Sequence, residues 1–453
     1  MPLCPKRGDQ WKAHQKCKSY PQDSKHPPSG YNLLSLKCNQ TEQIFSIFVN
    51  FYWWIFPQPD ITIFLQIRNI LLLGEFVIME QLNAQSSNQL SDRKKWIDNL
   101  RWITILTVVF FHVFYYYNNI GQDAMFSRLP ANPAEEGGKA AITFAGIIQY
   151  FVYQWFMLLL FVVSGMCAKY TLQKKTLRQF MKARVRKILV PSTLGIFTIQ
   201  WIGGWIITSK FLVGPEAENI PGFIKYFISV ASGTGALWFC HVLFVACLVL
   251  ALIKLIDKKC KLEALGEKSN IFVAAALVIV MIGAAQILNI KMIPTYRFGY
   301  DTMAFLFGYY VFSSEKLLNQ LKKHGWICLI IGLGFWVWHF VKFYGQLYSD
   351  AVVQNSWISI VHAWFTMMGI LGVAQKLEFE NKFSIYMCKT NWGIYVNHIL
   401  IMIILNTLLE PIAHSLPIAV IYLIELVVTL PVSIGLWELL KRIPVIKYVL
   451  YGL

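Results

Sequence analysis

Charge is scarce in this chain. Of 453 residues only 14% are charged, while 56% are hydrophobic. A soluble domain carries about a quarter charged residues, so composition alone excludes an ordinary soluble protein. No Gly-rich phosphate loop stands in credible context, and there is no Gly-x-Ser-x-Gly elbow and no zinc motif. The nine cysteines have no metal-ligand spacing, and no metal is expected. Six of them, from Cys167 to Cys388, lie in or beside apolar segments and read as small core residues. Cys4, Cys17 and Cys38 lie in the polar head, and no disulfide framework can be read. A cleavable signal peptide is not evident either, because the head is polar and proline-bearing. No internal repeat is visible, which weighs against a transporter built from repeated halves.

What the chain has in quantity is apolar runs. Ten segments are long enough to read as membrane spans: 97–118, 144–168, 189–209, 235–256, 271–290, 298–313, 326–344, 356–375, 391–409 and 416–440. The sixth is short. The predicted fold is all-α, a polytopic membrane bundle of about ten transmembrane helices. Connections are brief, so any chemistry must sit in the bundle. Ahead of it, residues 1–95 read as a leader, largely disordered, with poor apolar segments over 44–79 that Pro57, Pro59, Asp60, Arg68 and Glu75 interrupt. This leader is either a divergent part of the protein or an upstream extension of a chain that starts at Met79. The core domain is expected over residues 96–445.

The basic residues number 41 against 24 acidic ones, a net charge of +17. They lie between apolar spans, where they set topology and meet anionic lipid headgroups, so nucleic acid is not an expected partner. Alternate connections carry 25 and 7 lysines and arginines, counting Lys254 and Lys342 at span edges. The positive-inside rule then places both ends of the core in the cytoplasm of a cell membrane.

Arg101 and His112 lie eleven residues apart inside DNLRWITILTVVFFHVFYYY. Eleven helical steps return to within about 20° of the start, so the two side chains share a face, roughly 16 Å apart along the axis. An arginine and a histidine buried on one face of a membrane helix are costly and point to a functional site. Asp98 precedes Arg101 by one turn and can pair with it. A neutral imidazole in a partly dry cavity can act as general base toward a hydroxyl.

The run from Asp98 through Asn99, Leu100 and Arg101 to His112 resembles the first helix of the acyltransferase-3 family, multipass membrane proteins that move acyl groups onto sugars. Other segments share the likeness over about residues 96–440. Phe161, Ser164 and Gly165 are similar to an aromatic-x-x-Ser-Gly signature, though Ser164 also reads as helix–helix glue. Lys182, Arg184, Arg186 and Lys187 before Pro191 resemble an Arg-rich run. Leu237, Trp238 and Phe239 match a His-Leu-Trp-Phe motif whose histidine is Ala236 here. Gly393, Ile394, Tyr395 and His398 match a late Gly-Ile-Tyr-Leu-x-His.

The resemblance implies a compact O-acyltransferase without an appended extracytoplasmic domain. His112 and Arg101 would be catalytic. Arg184, Arg186, Lys187 and His398 would bind an acyl-CoA donor, guanidinium groups taking its phosphates. Asp98, Trp238 and Tyr395 would bind a carbohydrate acceptor. The plainer readings stay open: the basic run as a topology signal, Trp238 as an interfacial aromatic, His398 and His362 as structural histidines, and the whole chain as an exporter of a glycan or lipid intermediate. His241 sits on a different face from position 236 and inherits no role.

Overall fold

The computed structural model describes residues 94–116, 136–290 and 295–453, so the expected leader lies outside the described residues apart from Lys94 and Lys95. Among the described residues the chain is helical throughout, with no strand beyond a bridge between Asn289 and Arg297. The helices used below are α1 (Lys95–Tyr115), α2 (Glu136–Leu172), α3 (Leu177–Phe211), α4 (Gly222–Ser232) and α5 (Trp238–Ile256). They continue with α6 (Lys261–Glu267), α7 (Ile271–Ala284), α8 (Phe298–Tyr310), α9 (Glu315–Phe343) and α10 (Trp357–Ala374), then α11 (Lys382–Leu409), α12 (Ile418–Leu440) and α13 (Pro444–Tyr451).

Eight of these are long and apolar enough to cross a membrane: α1, α2, α3, α5, α9, α10, α11 and α12. The protein is an all-α polytopic membrane protein. All ten segments expected from the sequence are helical, but two are not simple spans. The fifth is the pair α6 and α7, bent by 112° at a short break. The sixth is α8, with 13 residues. At 1.5 Å per residue it reaches about 20 Å, short of the roughly 30 Å hydrocarbon core.

The short α8 is held by backbone contact. A Cβ on Gly165 of α2 would stand 2.0 Å from the Phe305 carbonyl oxygen, and one on Gly308 would stand 2.0 Å from that of Val162. Small residues on both sides let the two helices touch main chain to main chain, the packing that drives helix association in lipid. A charge network closes the same region. The Glu263 carboxylate accepts from the Tyr309 hydroxyl at 2.8 Å, from Lys254, and from Lys169 at 3.5 Å. The ions sit largely out of water, so each is tolerated only because the others are present. At the turn before α6, the backbone N–H groups of Leu262 and Lys261 donate to Asp257 and hold its carboxyl below the usual range.

Helix α3 is irregular where proline requires it. Pro191 has no N–H, and the turn before it widens into a π-helix over Val185–Leu189; a second covers Ile196–Gln200. Beside it, the Thr193 and Ser192 hydroxyls bond back to the Leu189 carbonyl, Oγ1 at 2.6 Å and Oγ at 3.2 Å. The segment after α3 was expected to be a connecting loop. It folds back as α4, which crosses α3 where a Cβ on Gly204 would lie 1.8 Å from the Ser229 carbonyl oxygen. The apolar run FIKYFISVAS is too short to span and packs against α3.

Candidate functional site

Helix α1 is fixed at its start. Lys95 pairs with Glu380 at 2.5 Å, and Lys94 pairs with Glu315. Asn99 Nδ2 donates to the carbonyl oxygens of Leu377 at 2.7 Å and Phe379 at 2.8 Å, while its Oδ1 accepts from Trp102 Nε1 at 3.0 Å. So Asn99 ties the α10–α11 connection to α1. These anchors set the rotation and depth of the helix, and with them the direction of His112 more than three turns further on.

His112 faces a cavity of about 600 Å³ inside the bundle. Its Nδ1–H donates to the Val108 carbonyl oxygen at 2.7 Å. A carbonyl only accepts, so in the neutral ring Nε2 keeps the lone pair. The imidazole is therefore in the tautomer a general base needs. His398 stands behind it, with ring centroids 5.1 Å apart. It is fully buried, and its Nδ1–H donates to the Tyr395 carbonyl at 2.8 Å. That leaves its Nε2 buried, with no hydrogen-bond partner among the described residues.

The cavity walls are aromatic and polar. Tyr115 comes from the end of α1 and Tyr116 from just beyond it, Tyr153 from α2, Gln200 from α3, and Trp238 from α5. Tyr395 of α11 completes one side and donates its hydroxyl to the Ala236 carbonyl. The residue standing in place of the motif histidine thus anchors a cavity tyrosine through its backbone. The turn after α4, residues 231–236, closes another side.

His241, which inherits no motif role, has a supporting place. Its Nε2–H donates to the Ser192 carbonyl at 2.8 Å, so its Nδ1 accepts from the Tyr296 hydroxyl, also at 2.8 Å. The rings lie near parallel, 13° apart. His241 therefore holds Tyr296, a cavity residue, against the irregular part of α3. Arg297, Tyr300 and Asp301 also line the cavity. These three, and Tyr296, were missed. A signal was present in YRFGYD: Arg297 and Asp301 are charged, four apart, and inside an apolar stretch, the same pattern that singled out Arg101 and His112.

The other expected site residues lie at the far end of α1. Arg101 was expected to be buried. It is 44% exposed and reaches Asp98 at 3.8 Å. It lies within the first two turns of α1, where a long side chain extends past the apolar layer. Neither Asp98 nor Arg101 lines the cavity. Arg101 instead joins the basic run, for its charge and those of Arg186 and Arg184 all act on Lys187. The Arg184 guanidinium lies 4.7 Å above the Phe180 ring, and its Nε has no hydrogen-bond partner among the described residues. Arg101, which pairs with Asp98, thus joins Arg184, Arg186 and Lys187 in a basic end contributed by α1 and α3, a surface suited to a polyanion. So the structure divides the expected residues. His112, Trp238 and Tyr395 meet at the cavity; Asp98, Arg101, Arg184, Arg186 and Lys187 belong to the basic end; His398 packs against His112 rather than near the basic run.

A helical membrane bundle with an internal, histidine-walled cavity, and no soluble domain among the described residues, is a membrane-embedded catalytic or carrier class. The family decides between these. The family model for the acyltransferase domain, Acyl_transf_3, matches residues 94–438, and the chain belongs to that family. It is a membrane acyltransferase. No curated protein and no solved structure matches the chain.

Proposed function

We propose that the protein moves an acyl group, acetyl or similar, from cytoplasmic acyl-CoA to a hydroxyl of an exported or cell-surface glycan. The observation that carries this reading is His112, with its Nδ1–H tied to Val108 and its ring facing the cavity. The basic end supports the donor assignment. Arg184, Arg186 and Lys187 take the coenzyme's phosphates, with Arg101 beside them. About 16 Å of helix separates Arg101 from His112, a reach suited to an extended pantetheine arm. The charge asymmetry of the connections supports a cytoplasmic basic end and a cavity reached from the other face of the cell membrane.

The chemistry needs one base. His112 Nε2 takes the proton of the acceptor hydroxyl while its oxygen attacks the thioester carbonyl carbon. The tetrahedral intermediate collapses, the carbon–sulfur bond breaks, and the thiolate takes the proton back from the imidazolium. The products are an ester and the free thiol of coenzyme A. His398 orients His112 and fills the space behind it. Tyr395 and Trp238 shape the acceptor side.

Purified protein in lipid vesicles, supplied with radiolabelled acetyl-CoA and a polysaccharide or lipid-linked glycan fraction, tests this. Alkali-labile label on the glycan is the expected result. Label that stays on the coenzyme in the presence of every acceptor fraction would overturn the reading.

A further inference from the structure

The basic run is held from one side by a segment outside the residues that the family model matches. Helix α13, Pro444–Tyr451, follows the last matched residue, 438. It lies along α3, with Leu450 over Gly195. Tyr451 is buried, and its ring meets that of Trp437 edge-on, centroids 4.4 Å apart. Its hydroxyl donates to Asn397 Oδ1 at 3.2 Å, and Asn397 Nδ2 donates to the Ser433 carbonyl oxygen at 3.2 Å. So the end of α13 is pinned to α11 and α12, at the residue before His398. The next residue, Gly452, meets the basic run itself. Its φ is +63°, and a Cβ there would stand 2.1 Å from the Arg186 carbonyl oxygen and 2.6 Å from the Lys187 Cα. Left-handed backbone and close approach each require glycine here. The contact falls on the π-turn Val185–Leu189, where the Val190 N–H reaches back five residues to the Val185 carbonyl. Pro191, next in that series, has no N–H to offer Arg186, and Gly452 covers the Arg186 carbonyl.

We infer that Tyr451 and Gly452 are positioning residues for the donor's phosphates: they clamp the π-turn and so fix the directions in which Arg186 and Lys187 project. This rests on the reading of the basic run as the acyl-CoA site. A π-turn holds one residue more than an α-turn. Relaxing it would shift the register by one residue, about 100° of helix rotation, and a cation aimed at a phosphate would turn away. Guanidinium recognition of phosphate uses two parallel N–H···O bonds, so direction counts as well as charge. The clamp itself brings no charge to the phosphates. Its effect runs through the backbone of the turn, and linkage makes that effect mutual: a donor that favours the clamped turn also tightens the clamp.

Two binding measurements on purified full-length protein test this, neither of which depends on acyl transfer. The first compares coenzyme A with pantetheine, the same arm without phosphates. Gly452→Ala should weaken coenzyme A about fivefold, the scale of one misaligned charge-assisted hydrogen bond, and leave pantetheine unchanged. Gly214→Ala, at a φ of +96° but with open space around it, should change neither. The second uses the wild type alone. Saturating coenzyme A should slow amide hydrogen exchange across residues 447–453 by about tenfold or more, and pantetheine should not. Exchange there that coenzyme A leaves unchanged overturns the inference without any variant having to fold. So do equal losses for the two ligands in Gly452→Ala, which would make the contact one of stability only. Wild-type protein that binds coenzyme A no better than pantetheine, or an Arg184→Gln, Arg186→Gln protein that binds it as wild type does, defeats the donor reading and this inference with it. Weakening in that double variant beside unchanged affinity in Gly452→Ala defeats this inference alone.

Discussion

The two ends of α1 hold polar side chains in opposite ways. At its start Arg101 stays 44% exposed, beside Asp98 and in range of a second strongly basic segment. About three turns later His112 meets a cavity whose walls come from α1, α2, α3, α5, α8 and α11. The first end is assembled from two short stretches of sequence that already carry their charge. The second is assembled from single residues of many helices. One helix thus links a surface that can attract a polyanion to a cavity where a base can act, and the length of α1 fixes the distance between them. The two ends should respond differently to substitution, in affinity at one and in turnover at the other.

The largest expected effect is at the cavity. His112→Ala should lower turnover by about 10²–10⁴-fold, the usual contribution of a general base, with acyl-CoA affinity unchanged. Rates measured at saturating donor, together with coenzyme titration, check both halves. At the basic end, Arg184→Gln combined with Arg186→Gln should raise the apparent acyl-CoA dissociation constant about tenfold or more, through loss of charge-assisted phosphate contacts. Turnover at saturation should hold, and the wild-type affinity should fall steeply with salt. If the double variant binds acyl-CoA as wild type does, the basic run is only a topology signal. His398→Gln should cost less, about tenfold in turnover, because it acts through the packing of His112 and not on the substrate. Unchanged kinetics in this variant would reduce His398 to a space-filler. The smallest effect belongs to Arg101→Lys. It keeps the charge of an exposed side chain and should shift donor affinity by about threefold or less.

A fifth expectation concerns the frame that holds the two ends. Gly308→Leu inserts a side chain where a Cβ already meets the Val162 carbonyl oxygen at 2.0 Å. The α2–α8 contact should open, and detergent-solubilised protein should aggregate or melt at much lower temperature than wild type. Recovery of a normally stable variant would show that this crossing is not needed.

The basic end could be read from the sequence because its signals are local. Arg101 sits three residues after Asp98, and Arg184, Arg186 and Lys187 are nearly contiguous. The helical character of the spans was legible for the same reason, as uninterrupted apolar runs. The shortness of α8 was legible too, for its apolar run is visibly brief. The bend between α6 and α7 was not: it falls at the break before Ile271, where the Asn270 side chain accepts from the Phe272 and Val273 N–H groups and starts a new helix. Nor could periodicity show that residues 222–232 return to the bundle, since their seat depends on Gly204 and Gly233 facing one another from different helices. The cavity was half legible. His112, Trp238 and Tyr395 stand in motifs, but Arg297 and Asp301 gain a place only once α8 is known to begin at the cavity, and His241 only once Tyr296 is seen to lean on it.

One comparison tests the central claim most directly. Wild-type protein and His112→Ala, both in vesicles and both shown to bind acyl-CoA, receive radiolabelled acetyl-CoA and the same glycan fraction. The wild type should place alkali-labile label on the glycan, and the variant should bind the donor equally well yet label the glycan at least about a hundredfold more slowly. Equal labelling by the two proteins would show that the base lies elsewhere and that the cavity around His112 is not where the acyl group is transferred.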